Sequence, residues 1–506
     1  MLWPVHGFEL RKLIPMLLMF FFINFNYTIL RDTKDALIVT APGSGAEAIP
    51  FLKVWGVLPI AILFMLIYAK LSNVMSKAKL FYTTIISFLV FFALFALFLY
   101  PARDALHPTE LADRLQQALP AGFSGLVAVF RNWTYALFYI MSELWGSMAV
   151  SLLFWGFAND TTRISESKRF YAIFGLGANA AMLPSGELIK YFANFKKHLV
   201  GAEVDVWGIT LNYLTLSVIG AGLMAMVIYW WINKKVLTDA RFFDPAEVKK
   251  AKERPKMPLM ESFRYILKSK YLLCIAVLVI AYGISIQLVE VTWKNQLKLQ
   301  YPNPNDYVAF MGYFSQIIGC VTIFMMLFVG GNVIRRFGWG TGALFTPIVL
   351  LITGVAFFAF VIFKSQLTGM IAAIGTTPLM LAVIFGTAQN IMSKATKYSL
   401  FDPTKEMAYI PLDQESKVKG KAAIDVVGAR FGKSGGALIN QALIVGLGSV
   451  ALITPYVAAI LFGIIFAWIW AGKSLSKRFN TLTAKQEEAA KATAQQPALA
   501  TEKVTT

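Results

Sequence analysis

The sequence predicts an all-α polytopic membrane protein of about twelve transmembrane helices in two six-helix halves, and three observations carry that reading. Over 506 residues, 57% are hydrophobic, 15% are charged and the mean hydropathy is +0.60, whereas soluble domains carry roughly 25% charged residues. Apolar stretches of about 20 residues, the length that crosses a bilayer core of roughly 30 Å, recur along the chain. A long basic segment, Asn233 to Lys270 with its DPAEVKKAKERPKMP run, divides those stretches six and six.

In chain order the expected spans fall near 12–30, 50–70, 80–100, 126–156, 170–193, 211–232, 271–293, 306–334, 341–363, 377–393, 421–447 and 450–472. The tenth and eleventh carry scattered Gly, Lys and Asp, which is tolerated where backbone faces protein or a water-filled cavity rather than lipid. Connections after even-numbered spans are the basic ones. They hold Lys70, Lys77 and Lys79, then Arg163, Lys168 and Arg169, the run from Lys234 to Lys270, Arg335 and Arg336, and Lys394 through Lys419. Both termini are therefore expected in the cytoplasm. The division reads as an N-terminal half over 1–232, a cytoplasmic linker over 233–270, a C-terminal half over 271–473 and a disordered cytoplasmic tail over 474–506.

The net charge of +19 sits mostly in these inner connections, where positive-inside bias and anionic lipid headgroups account for it without nucleic acid. Two cysteines, Cys274 and Cys320, and three histidines, His6, His107 and His198, have no disulfide or metal-ligand spacing. No metal and no cofactor is expected.

Short internal matches support a duplicated fold. Thr33 and Thr292, and Asn73-Val74 and Asn332-Val333, are each 259 residues apart, while Glu166-Ser167-Lys168 returns as Glu415-Ser416-Lys417 at a slightly shorter interval. A duplicated bundle of this kind places its substrate between the halves near the midplane.

Charges inside apolar stretches are the functional signal, because each costs about 2.5–3.5 kcal/mol at mid-bilayer even on the lenient insertion scale. Lys53 in PFLKVW and Lys433 in RFGKSGG are cations in opposite halves, and Glu143 in MSELWGS and Glu290 in QLVEVTWK are anions in opposite halves. Ammonium groups suit phosphates as point charges. The carboxylates are expected to pair with the lysines in the empty carrier or to accept a donor on the substrate. Tyr27, Trp145, Phe157 and Tyr282 are of a type that stacks on a base, but helix packing accounts for them better. FGKSGG is no P-loop, since Val427 stands where the first glycine of G-x-x-x-x-G-K-[ST] belongs. ATP hydrolysis is not expected, and the chain reads as a transporter rather than an enzyme.

Five segments carry a family resemblance: FNYTILRDTKDALIVTAPGSGAEAIPFLKVWGVLP at 25–59, SELWGSMAVSLLFWGFAN at 142–159, AYGISIQLVEVTWK at 281–294, KYSLFDPTKEMAYIPLD at 397–413 and KVKGKAAIDVVGARFGKSGGALI at 417–439. The chain resembles the nucleotide transporters, the ATP/ADP antiporters of plastids and obligate intracellular bacteria. The resemblance implies a major-facilitator-like fold and exchange of internal ADP for external ATP; because ATP carries more negative charge than ADP, phosphate or another ion is expected to compensate, and phosphate moving with ADP is one answer. It implies that Lys53, Glu143, Glu290 and Lys433 bind and translocate substrate, with Arg31, Lys34, Asn159 and Arg430 ranked behind them. Its alternative is a broader-specificity or proton-coupled nucleotide importer. The first span begins too close to Met1 for a plastid transit peptide, so a bacterial inner membrane is expected. The remaining expected partner is membrane lipid, and a monomer is compatible with the reading.

Overall fold

A computed structural model describes residues 5–195, 204–239, 241–242, 259–373 and 375–502, and every structural statement below concerns these. They are helical, as a lipid-embedded chain must be when no water is at hand to satisfy its backbone. The long helices are α1 (Gly7–Val39), α2 (Ala48–Val74), α3 (Lys77–Leu99), α4 (Trp133–Thr161), α5 (Arg169–Asn194), α6 (Val206–Val236) and α7 (Lys270–Gln300). There follow α8 (Pro304–Phe324), α9 (Gly331–Ile362), α10 (Pro378–Thr396), α11 (Gln414–Leu447) and α12 (Val450–Glu502).

Nine segments among the described residues are long and apolar enough to cross a membrane. One of them, Pro304–Ile362, is 59 residues long and is interrupted at Gly338, whose φ of 82° breaks the helix. It therefore has room for two of the expected spans. Gln389, Asn390 and Lys394 dilute α10, and the Lys and Asp residues of its first half dilute α11, of which only Ser434–Leu447 reads as an apolar helix. An expectation of about twelve spans is consistent with this set.

Helix starts follow the sequence. Asp205, Asn303, Thr377 and Asp413 cap α6, α8, α10 and α11 through side-chain oxygens that accept backbone amides, satisfying donors that a helix start leaves open. The Ser416 amide holds the Asp413 carboxyl below its ordinary value. Pro304 and Pro378 sit in the first turns, where their missing N–H costs nothing. Gly448, left-handed at φ 96°, ends α11. α12 runs on past the expected boundary at 473: Phe479 stacks on Trp339 with ring centroids 4.7 Å apart, and Gln486 Nε2 donates to Pro411 O at 3.1 Å.

Two close helix contacts rest on glycine. A Cβ on Gly283 of α7 would lie 2.6 Å from Gly432 Cα of α11. Between residues before and after the linker, a Cβ on Gly312 of α8 would meet Gly186 O of α5 at 2.8 Å, and one on Gly186 would meet Gly312 O at 2.5 Å. Close approach of this kind drives helix association in lipid, where water contributes no hydrophobic force. At one end of the bundle the C-terminal turns of α1 and α7 and the start of α2 come together, with Lys298 donating to Ser44 O. Replacing Gly312 by Val should lower stability by about 1–3 kcal/mol through overpacking. Gly220→Val, where nothing lies within 4 Å, should leave it unchanged; thermal melts of the purified protein in detergent check both.

Candidate functional site

The site begins with a local fact about α1. The run Arg31-Asp32-Thr33-Lys34-Asp35 lies beyond the expected first span, yet α1 continues through it to Val39, so five consecutive residues that read as a span edge sit inside a helix. Asp32, Thr33, Lys34 and Asp35 are all buried. On α7, Glu290 and Lys294 are one turn apart, the favourable order for a carboxylate and an ammonium.

These charges form an alternating chain across four helices. Glu143 Oε1 of α4 is 3.0 Å from Lys34 Nζ, and Lys34 Nζ is 2.8 Å from Asp35 Oδ1. Asp35 Oδ2 is 2.8 Å from Lys294 Nζ, which is 2.6 Å from Glu290 Oε1. Glu290 Oε2 is 2.7 Å from Lys53 Nζ of α2, and Lys53 also donates to Gln287 Oε1 at 2.7 Å. Lys34 Nζ lies 3.9 Å over the Tyr139 ring. Beside the chain, Arg31 donates to Asp32 Oδ1 at 2.8 Å and to Ser315 Oγ of α8 at 2.6 Å, and Ser315 Oγ donates to Asp32.

Exposure varies along the chain in a way that bears on its use. The side chains of Lys34, Asp35 and Lys294 are 2–3% exposed, whereas Lys53, Glu290 and Glu143 are 16%, 20% and 31% exposed. Its middle is sealed and its ends are reachable by a solute. Lys53 stands at the start of a π-helical stretch, Leu52–Val57, and Glu143 lies three residues before another, Gly146–Phe154. Such wide turns are frequent at functional sites.

Lys53, Glu143, Glu290, Lys34 and Arg31, all singled out from sequence, thus meet in one cluster. Asn159 does not join it: it is exposed, and its Oδ1 accepts from the Tyr171 hydroxyl at 2.6 Å. Lys433 and Arg430 lie on α11, and their side chains fall outside the described residues. Of the aromatics, Trp145 is fully buried with Nε1 donating to Ile23 O at 3.0 Å, and Tyr282 stacks on Phe401 at 5.0 Å. Asp32, Asp35, Lys294, Gln287 and Ser315 were not identified from sequence, and the i, i+4 pairs Arg31/Asp35 and Glu290/Lys294 were the available signal. Lys394, read as part of a basic connection, instead lies within α10.

Comparison with known proteins shows the family to which this helical bundle belongs. The family model described as TLC ATP/ADP transporter matches residues 1–479. The chain belongs to the TLC ATP/ADP transporter family. It is 61% identical to ADP,ATP carrier protein 1 of Chlamydia muridarum (strain MoPn / Nigg), over 97% of this chain and 93% of that one. It is 54% identical to the chloroplastic ADP,ATP carrier protein 2 of Arabidopsis thaliana, over 94% and 76%, and 44% identical to ADP,ATP carrier protein 1 of Rickettsia bellii (strain RML369-C), over 96% and 97%.

Among solved structures this TLC transporter shares its fold with a bacterial homologue of the iron transporter ferroportin in an inward-facing state (TM-score 0.58, 12% identity, covering 92% of this chain and 99% of that one). It shares it also with a D-xylose-proton symporter (TM-score 0.54, 11% identity, 92% and 96%). The major-facilitator-like architecture expected from sequence is the one found. Removing the central carboxylate with Asp35→Ala leaves two buried ammoniums short of a partner, and should cost this transporter about 3–5 kcal/mol of stability. Glu143→Gln, at the reachable end, should cost about 1 kcal/mol or less; thermal unfolding in detergent compares the two.

Proposed function

We propose that this chain exchanges ATP for ADP across a membrane by alternating access, taking up external ATP against internal ADP, with phosphate moving alongside to balance charge. Membership of the TLC ATP/ADP transporter family supports the reaction, and one structural observation carries the mechanism. Lys53 and Glu290, on helices from opposite sides of the linker, are bonded to each other at 2.7 Å while both remain partly exposed.

A phosphate reaching Lys53 competes with Glu290 for the same ammonium, and one reaching Lys34 competes with Glu143. Binding therefore loosens contacts between α1, α2, α4 and α7, and supplies the negative charge that the lysines lose. Lys53, Glu143 and Glu290 are the substrate residues of this reading, with Lys433 of α11 as the second phosphate cation. The empty carrier must reseal its own ion pairs before it moves, since an unpaired charge cannot cross a low-dielectric state cheaply. Exchange is favoured over one-way transport for that reason.

ATP carries more negative charge than ADP, and an inside-negative potential opposes its entry by about 2.3 kcal/mol per elementary charge per 100 mV. Phosphate accompanying ADP removes that opposition. In this reading the carrier lies in a bacterial cell membrane with both termini in the cytoplasm, which the positive charge of the basic connections supports.

The test is uptake of α-phosphate-labelled ATP into proteoliposomes preloaded with ADP, left empty, or given a proton gradient alone. Uptake is expected only with internal ADP; uptake into empty vesicles driven by protons would contradict exchange. Lys53→Ala and Glu290→Ala should each lower the exchange rate by about tenfold or more, the loss of one charge-assisted contact to phosphate or its counter-ion.

A further inference from the structure

Lys394, in the last turn of α10, is a cation inside the bundle without a carboxylate. Its ammonium lies 5.3 Å from the centre of the Phe314 ring of α8, and Arg31, Asp32, Glu290 and Lys294 are the charged groups whose fields reach it. Each neighbouring cation is paired with an acid: Arg31 with Asp32, Lys34 with Asp35, Lys294 with Asp35 and Glu290, and Lys53 with Glu290. Among the described residues the Lys394 ammonium makes neither an ion pair nor a hydrogen bond. An aromatic face offers an ammonium less than a carboxylate does, and a charge left without a counter-charge at membrane depth marks a route for an anion.

The internal repeat gives this lysine a place. Glu143 precedes the π-helical stretch Gly146–Phe154 by three residues, and Lys394 precedes the stretch Lys397–Phe401 by three. From 143 to 394 and from 146 to 397 the interval is the same 251 residues. Asp35 and Lys294 are likewise related, by the 259 residues that separate Thr33 from Thr292, and the members of that pair touch at 2.8 Å. Both threonines are buried with unpartnered hydroxyls, as equivalent positions would be. At each equivalent pair the two halves carry opposite charge: Asp35 against Lys294, and Glu143 against Lys394. The first pair is mutually satisfied, whereas Glu143 is satisfied by Lys34 and leaves Lys394 open.

We propose that Lys394 is a phosphate-binding residue of the translocation route, the α10 counterpart of Glu143, and that it selects substrates by the charge of their phosphate chain. This rests on the transport reading above. The ligand is an anionic phosphate, either the nucleotide's own or free inorganic phosphate travelling with it. With phosphate bound, the cluster's unmatched positive charge is compensated; without it, the empty site retains an unpaired cation that resists reorientation, which strengthens the preference for exchange.

The experiment uses the full chain in ADP-loaded proteoliposomes, with Lys394→Met, which keeps length and removes charge, and Lys394→Arg, which keeps charge. The expected result is a KM for ATP raised about tenfold or more in K394M and restored to near the wild-type value in K394R. Inhibition by adenosine, which has no phosphate, should be unaltered, and the melting temperature of K394M should be no lower than wild type, because no partner is orphaned. Inorganic phosphate as a competitor separates the sources. Weakened inhibition in K394M means that free phosphate shares the site, and unchanged inhibition beside a raised KM means that the nucleotide's phosphate holds it alone.

An unchanged KM in a folded, active K394M overturns the inference, as does a K394R that loses as much as K394M. Where K394M is not recovered folded, K394Q carries the same comparison. A wild-type chain without ADP-dependent uptake overturns the transport reading and this one with it.

Discussion

Six charges that neutralise one another, the middle of the set sealed and its ends partly exposed, are the constraint on which this molecule depends. Glu143, Lys34, Asp35, Lys294, Glu290 and Lys53 alternate in sign along a path through α4, α1, α7 and α2, with each step at 2.6–3.0 Å. Nothing in hydrocarbon would hold such groups singly. The chain is stable only as a set, so the helices that carry it are fixed relative to one another for as long as it is intact. Because it crosses from helices before the linker to helices after it, the same electrostatics that stabilise one arrangement of the bundle also resist leaving it. In the exchange proposed above, an anionic solute changes that balance by offering the lysines a different partner.

The glycine contacts divide the labour with the charges. Gly186 and Gly312 bring α5 and α8 to backbone distance, a contact made of dispersion that is rigid and indifferent to solute charge. The ion pairs at the joined ends of α1, α2 and α7 are directional and exchangeable. A bundle held by one fixed seam and one ionic seam has a defined place to open.

The fold was legible where hydropathy is uniform and obscured where function interrupts it. Helices α3 and α6 follow their apolar stretches, since no charged residue inside 80–100 or 211–232 competes with the 20-residue signal. The expected first span stopped at 30 because Arg31 and Asp32 end any apolar window, yet the helix continues to Val39, and Asp35 was lost to view with it. Lys394 was misplaced for the same reason at the end of α10. Gly338, which interrupts the segment Pro304–Ile362, has no hydropathic signature. Lys53, Glu143 and Glu290 were found because each stands alone among apolar neighbours. Lys34 was reached through the motif that contains it. Lys294 was missed because a charge near a span's end looks like an anchor, and only its pairing with Asp35 distinguishes it.

The central claim is that the ionic seam between the α1–α2 corner and α7, where Lys53 meets Glu290, parts when a nucleotide binds. The most direct measurement is the distance between spin labels at the two helix ends, with Pro42→Cys and Leu299→Cys introduced after Cys274 and Cys320 are replaced by alanine, read by pulsed electron paramagnetic resonance. Both labelled positions are exposed, and neither side chain belongs to the charge chain. The account predicts one short distance in the nucleotide-free protein and a second, longer population on adding ADP or ATP but not adenosine. A single short distance that nucleotide leaves unchanged would contradict it.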